Sequence, residues 1–221
     1  QYDDWLKVSD EKLANHKPLT VELAAGSALF STELARRHPE RIYVAVDLKG
    51  DRLYKCATEA ARLGRDNIYF VRSDIANINE IIPNGRAGEI WLTFPDPYPR
   101  KSDSKHRLTY NRYLNYYREM MEGNGVLNFK TDSRALFDWS LEQFQNSDWE
   151  QQFVTNDMHD SDAPDDAKIM TTYEKRWISE GLSINYTRIY SSGALLRHEG
   201  TRPVVDRASA HNYHPIVVLF Q

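Results

Sequence analysis

LTVELAAGSALFSTELARRHPERIYVAVD, residues 19–47, holds the unit that decides the fold. LTVEL (19–23) and IYVAVD (42–47) are short apolar runs rich in branched side chains, and the segment between them places Leu29, Phe30, Leu34 and Ala35 on one helical face. Strand, helix and strand at this spacing predict a parallel pair with a crossover helix. The pattern repeats downstream. A helix over 51–63 is closed by Gly64, NIYFVR (67–72) is a third strand, a short helix spans 75–82, and EIWLTF (89–94) is a fourth strand. Residues 110–121 read as a helix, Gly123-Asn124-Gly125 as a turn, VLNFKT (126–131) as a fifth strand and 133–145 as another helix. Strands through Phe153 and Val154 and over 183–190, with a helix at 172–180, complete the series as antiparallel edge strands. The prediction is an α/β fold with a doubly wound, mostly parallel, seven-stranded sheet covered on both faces.

Residues 19–190 form the predicted domain, preceded by a segment at 1–18 and followed by a C-terminal extension at 191–221. The extension carries Arg197, Arg202, Arg207, His198, His211 and His214 before an apolar end. It is read as an edge strand, a partner contact or a cover for the sheet. The three histidines are scattered and lack accompanying acids, so no metal site is expected. With 41% hydrophobic and 27% charged residues among 221, the chain is neither disordered nor fibrous in composition. A lone cysteine, Cys56, excludes an internal disulfide and a cysteine-based zinc cluster. No apolar run nears the roughly 18 residues of a membrane helix, and QYDDWLKVSD lacks the pattern of a signal peptide. A cytoplasmic protein with no membrane partner is expected.

The formal net charge of −4 argues against a polyanionic partner until its distribution is considered. Five aspartates within 156–166 account for more than the whole excess. Between Asp96 and Arg112, five cations (Arg100, Lys101, Lys105, Arg107, Arg112) face two acids, which makes a patch suited to RNA.

Ligand crevices of open parallel sheets lie beyond the carboxyl ends of the strands, where the strand order reverses. Those ends carry Glu22 with Gly26, Asp47, Asp74, Asp96 and Asp132, so a carboxylate stands at every one. Asp47, closing the second strand, suits ribose hydroxyls. The loop Ala24-Ala25-Gly26-Ser27-Ala28 keeps a single glycine instead of the three that let a backbone close on a pyrophosphate. Acids near the loop welcome the ammonium and sulfonium of S-adenosylmethionine and repel a dinucleotide. Methyl transfer therefore outranks hydride transfer. In Phe94-Pro95-Asp96-Pro97-Tyr98-Pro99-Arg100-Lys101, each proline biases the residue before it toward an extended conformation, so Asp96 and Tyr98 are expected extended on a stiff loop. For Asp132 alone, a helix N-cap is an equally good reading.

These segments resemble the bacterial tRNA (guanine-N7-)-methyltransferases. The specific parts are FPDPYPRK with SKHRLTY (104–110), FKTD (129–132) running into LFDWSLEQF (136–144), and MTTYEKRW (170–177). The resemblance implies a Rossmann-like methyltransferase fold, S-adenosylmethionine as cofactor and N7 of a variable-loop guanine in tRNA as acceptor, in a monomer or homodimer. It puts cofactor contacts on Glu22, Gly26, Asp47, Asp74 and Asp96, with Asp96 also catalytic. Its tRNA contacts fall on Arg100, Asp132, Thr171, Thr172, Tyr173 and Glu174. Departures from the family pattern are Ala24 and Ala28 in place of glycines, Arg100 for lysine and Thr172 for glutamate. The start at Gln1, short of the family's basic arm, suggests truncation, and the tail after Tyr190 runs past the usual end. A methyltransferase for another RNA or small acceptor, or an RNA-binding protein without cofactor, stays open at this point.

Overall fold

The structure, a computed structural model, describes residues 17–191 and, as backbone, the short strands at 2–3 and 216–218. Its strands are β1 (Tyr2–Asp3), β2 (Leu19–Leu23), β3 (Ile42–Asp47), β4 (Ile68–Arg72), β5 (Ala87–Thr93), β6 (Met121–Thr131), β7 (Trp149–Thr155), β8 (Asn185–Ser191) and β9 (Ile216–Val218). The α-helices are α1 (Leu29–Arg37), α2 (Gly50–Arg62), α3 (Ile78–Ile81), α4 (Asn111–Met120), α5 (Arg134–Gln145) and α6 (Thr172–Ser179). They build one sheet in the order β1-β9-β4-β3-β2-β5-β6-β8-β7. From β4 to β6 neighbouring strands are parallel, while β8 runs antiparallel to β6 and β7 to β8. The seven expected strands are all present. At the opposite margin β9 pairs antiparallel with β4, and β1 with β9, so residues 216–218 of the extension act as a sheet strand. The extension's arginines and histidines lie outside the described residues.

Chain order reverses between β2 and β5, which pair in parallel, so the crevice expected of such sheets opens between their carboxyl ends. Strand alternation gives the sheet two unlike faces. One is apolar: Leu19, Val21, Leu23, Val44, Ile90, Leu92, Leu127 and Phe129 pack with α3, α4 and α5. The other is crossed by polar rows. Register aligns Glu22, Trp91, Asn128 and Arg188 in one row, and Thr93, Lys130 and Tyr186 in the next. Within these rows Tyr186 donates to Asn128 at 2.7 Å, Asn128 to Glu89 at 2.9 Å, and Arg41 pairs with Glu89 at 3.0 Å. Partnered groups of this kind avoid the penalty of burying them alone. Helices α1 and α2 cover this face, together with Met158 and Ala163 from the acidic segment and Ala167 and Ile169 just after it. That segment is therefore part of the core on its apolar side.

Gly123-Asn124-Gly125 is not a connecting turn. It lies within β6, where the residues between Met121 and Val126 bulge against Gly88, because Ala87 pairs with Met121 and Glu89 with Val126. A Cβ at Gly125 would lie 3.0 Å from the Ala87 carbonyl oxygen and 3.1 Å from that of Glu122. Close backbone approach, not reversal of direction, explains this glycine.

A buried ion pair fastens the polar face. Lys130, at 0% exposure, donates to the carbonyls of Ala167 and Ile169 at 3.0 Å each and to the Glu174 carboxylate at 3.0 and 3.1 Å. Its ammonium lies 4.5 Å from the Phe30 ring centroid and 5.5 Å from that of Phe94. Burial pulls the Lys130 pKa down, and Glu174 opposes that shift. Glu174 also accepts from the Thr171 N–H at 2.9 Å and stands 3.3 Å from His159 Nε2. Every ammonium proton is thus met. Among the described residues no helix is long and apolar enough to cross a membrane, and no group of three His, Cys, Asp or Glu could hold a metal. Removing one partner of a buried pair strands the other charge, so Lys130→Met is expected to cost about 3–5 kcal/mol in urea denaturation. Adding Glu174→Gln should recover part of that loss; strictly additive losses would show that the two groups act independently.

Candidate active site

The loop after β2 is the first wall of the crevice. Ala24, Gly26 and Ala28 all take left-handed backbone, with φ of 57°, 57° and 53°. The alanines stand where glycine is easiest, at a cost of about 1–2 kcal/mol each. Asp47 compensates by stitching three loops together. Its carboxylate accepts the N–H of Gly26 at 2.8 Å and of Lys49 at 2.7 Å, and its carbonyl accepts the N–H of Ser73 at 3.1 Å. A Cβ added at Gly26 would meet nothing within 4 Å, so the space above this loop is open.

Glu22, expected as a cofactor contact, is instead buried in β2 with its carboxylate engaged by protein donors. At 1% exposure its carboxylate accepts the Ser31 N–H at 3.1 Å, the Ser31 hydroxyl, and the Thr93 hydroxyl at 2.5 Å, joining β2 to α1 and β5. Burial pushes its pKa up, while those hydrogen bonds and Lys130 pull against the rise. Asp74 is exposed and caps the turn at Ile75–Asn77 by accepting the Ala76 N–H at 2.9 Å.

The proline-rich loop differs from the expected extended course. Phe94 and Tyr98, each preceding a proline, have φ of 52° and 42°. The steric bias before proline makes such backbone uncommon, and strain of about 1–3 kcal/mol per residue persists only where neighbours enforce it. At one end the Phe94 N–H donates to the Lys130 carbonyl at 2.9 Å. At the other, Arg107 donates to the Tyr98 carbonyl through Nε at 3.3 Å and an Nη at 2.9 Å. Between these anchors Asp96 is exposed and has no hydrogen bond or ion pair among the described residues. Burial raises the Tyr98 pKa, and Asp96 and Asp74 raise it further, so both carboxylates stand close enough to act on it.

Arg100, Lys101, Lys105 and His106 are exposed on the turn at Lys101–His106 and at its threshold. Arg107 does not belong to that patch. It is 9% exposed, with its guanidinium 4.4 Å from the Trp139 ring centroid. Charge in the sequence marked it as a cation, but packing turns it inward.

Asp132 is half-buried at the end of β6. The N-cap of α5 is Ser133, whose hydroxyl accepts the Leu136 N–H at 3.3 Å, so Asp132 is not engaged in capping. It has no partner among the described residues. The TTYE segment divides by depth. Thr171 and Glu174 form a reciprocal capping box at the start of α6. Thr172 and Tyr173 face solvent, Tyr173 at 55% exposure. As an RNA contact Glu174 is corrected here: at 0% exposure, with Lys130, Thr171 and His159 around its carboxylate, it supports the segment from below. The T-x-x-E spacing was itself a capping signal that could have shown this.

The loops at the carboxyl ends of β3, β4, β5 and β6 thus carry Asp47, buried, Asp74 and Asp96, exposed, and Asp132, half-buried, with Glu22 buried in β2 and an exposed cationic turn following Asp96. The crevice has no glycine-rich phosphate cradle. A cationic ligand without phosphate, placed next to a polyanion, fits this arrangement. Replacing half-buried Ala24 by glycine relieves its left-handed strain and is expected to raise stability by about 0.5–1 kcal/mol, after the larger unfolded-state entropy of glycine is counted. An unchanged or lowered urea midpoint would contradict the strain.

Residues 16–187 match the family model described as "Putative methyltransferase". The tRNA (guanine-N(7)-)-methyltransferase of Cytophaga hutchinsonii is 38% identical over 181 residues, covering 80% of this chain and 82% of that protein. The Bacteroides fragilis enzyme of the same name is 35% identical over 191 residues, covering 86% and 73%. Among solved structures, the 16S rRNA methyltransferase KamB superposes with a TM-score of 0.64 at 14% identity, over 86% of this chain and 95% of that one. The 16S rRNA (adenine(1408)-N(1))-methyltransferase from Catenulisporales acidiphilia gives 0.62 at 17% identity, over 84% and 93%. At these identities the structures speak for the fold, whereas the sequence relatives speak for the family. By the length and level of that match, the chain belongs to the tRNA (guanine-N7-)-methyltransferase family.

Proposed function

We propose that the protein transfers a methyl group from S-adenosylmethionine to N7 of the variable-loop guanine in tRNA, in the cytoplasm, as a monomer or homodimer. The observation that carries this reading is Asp96: an exposed carboxylate, without a partner among the described residues, on a doubly anchored loop at the point where strand order reverses. S-adenosylmethionine supplies an electrophilic methyl on a sulfonium. Asp47 accepts from ribose hydroxyls, Gly26 keeps the loop beneath them small, and Asp74 adds negative charge on the same side. Glu22 holds the first loop in shape through Ser31 and Thr93.

Guanine N7 carries an in-plane lone pair and no proton, so no residue has to act as a base. The chain's work is to hold donor and acceptor in line and to set negative charge near the base as it becomes cationic. Asp96 orients the guanine and balances that charge. Asp132 bonds the base or its neighbour, while Arg100, Thr172 and Tyr173 meet the RNA and Thr171 and Glu174 support them. The first loop keeps its left-handed course with alanine at 24 and 28, which favours cofactor binding over a purely RNA-binding role.

Labelled methyl should pass to unmodified tRNA and fail to pass when the variable-loop guanine is replaced by adenine; equal labelling of both would sink the acceptor assignment. Asp96→Asn is expected to slow single-turnover transfer by about 100-fold. A full rate removes Asp96 from the chemistry. Affinity for tRNA should fall with salt, and Lys101→Ala should reduce the slope of log affinity against log salt by about 1. A slope unchanged in the variant would remove Lys101 from the RNA surface.

A further inference from the structure

We propose that Arg107 is a positioning residue: stacked on Trp139 and bonded to the Tyr98 carbonyl, it fixes the loop that carries Asp96. This deepens the methyl-transfer reading and rests on it. Arg107 sits in a basic stretch and reads from sequence as a phosphate ligand, but its surroundings argue otherwise. At 9% exposure it presents little surface to a polyanion. Two of its N–H groups are spent on one carbonyl oxygen. One face of its guanidinium lies over Trp139, whose ring stacks with Tyr110 at 6.5 Å between centroids. Its own backbone continues the circuit, donating to the Ser104 carbonyl at 3.1 Å and accepting from the Tyr110 N–H at 2.9 Å. Among the described residues no carboxylate pairs with it, so the carbonyl and the aromatic face are its compensation.

The loop needs such a hold. Both flanks of Asp96 are left-handed aromatics in unfavourable backbone, and the Asp96 side chain has no partner among the described residues. Its place is set by the course of the loop, which the buried Pro95 and the two ends hold. The Phe94 end is fastened to the sheet through the Lys130 carbonyl, and the Tyr98 end is fastened only through Arg107 among the hydrogen bonds found there. Lysine can keep the charge but supplies neither the planar fork nor the stacking surface.

The test compares Arg107→Lys and Trp139→Leu with wild type. Each variant should lower kcat by about 10- to 100-fold, with KM for tRNA and for S-adenosylmethionine held within about twofold and the salt slope of tRNA binding unchanged. Hydrogen exchange over residues 94–104 should quicken by about 10-fold or more in both variants, while β2 and β5 keep their protection. A raised KM with a salt slope lower by about 1 and kcat intact in Arg107→Gln, which removes the charge that lysine keeps, would make Arg107 a phosphate contact and overturn the proposal. So would wild-type exchange in this segment. If wild-type protein itself transfers no methyl to tRNA, the functional reading fails, and the exchange experiment still decides whether the clamp exists. Should either variant melt early, the exchange comparison is made with the other.

Discussion

One buried ammonium organises the polar half of this molecule. Lys130 carries its amine into a site closed to bulk solvent, and a charge there is tolerable only when oxygens surround it. The oxygens come from the carbonyls of Ala167 and Ile169, just after the acidic segment, and from Glu174 at the head of a helix, so the charge draws two pieces of chain onto one strand. Because Lys130 is two residues before Asp132 and Glu174 lies three after Thr171, the same bond brings two family motifs to one rim. Its backbone carbonyl also holds Phe94. A requirement of electrostatics thereby sets the geometry of the crevice.

The loops after β2 and β5 use backbone shapes that their residues do not favour. Alanines in the first loop and aromatics in the proline-rich loop occupy left-handed φ; Asp47 holds the former loop through Gly26 between the two alanines, and Arg107 and the Lys130 carbonyl hold the latter at Tyr98 and Phe94. Such over-determined segments are expected where side chains must be presented without searching for position.

The parallel core was legible because its strands are short apolar runs separated by helical spacing, and the ends of β2 and β3 agree with that reading to the residue. The acids at those ends were legible for the same reason. What escaped was whatever depends on burial or on distant partners. Nothing local distinguishes Arg107 from the exposed Lys105, since only the packing of Trp139 does so. Glu174 and Lys130 are 44 positions apart, and no periodicity links them. The course of Tyr98 defied a steric preference because its carbonyl is held from outside the loop. Gly125 reads as a turn residue in sequence, whereas the carbonyls crowding it belong in part to another strand.

The unlike faces of the sheet also bear on how the chain can diverge. Where Val21, Leu92 and Phe129 meet the helices, contacts are non-directional, and a lineage can exchange one hydrocarbon for another while drifting gradually. Across the strands, Glu22, Asn128 and Lys130 are bound to particular atoms, and a single replacement there orphans a neighbour. A single substitution is therefore borne unequally by the two surfaces of one sheet: repacked on the hydrocarbon side, and on the polar side compensated only by changing the bonded neighbour as well.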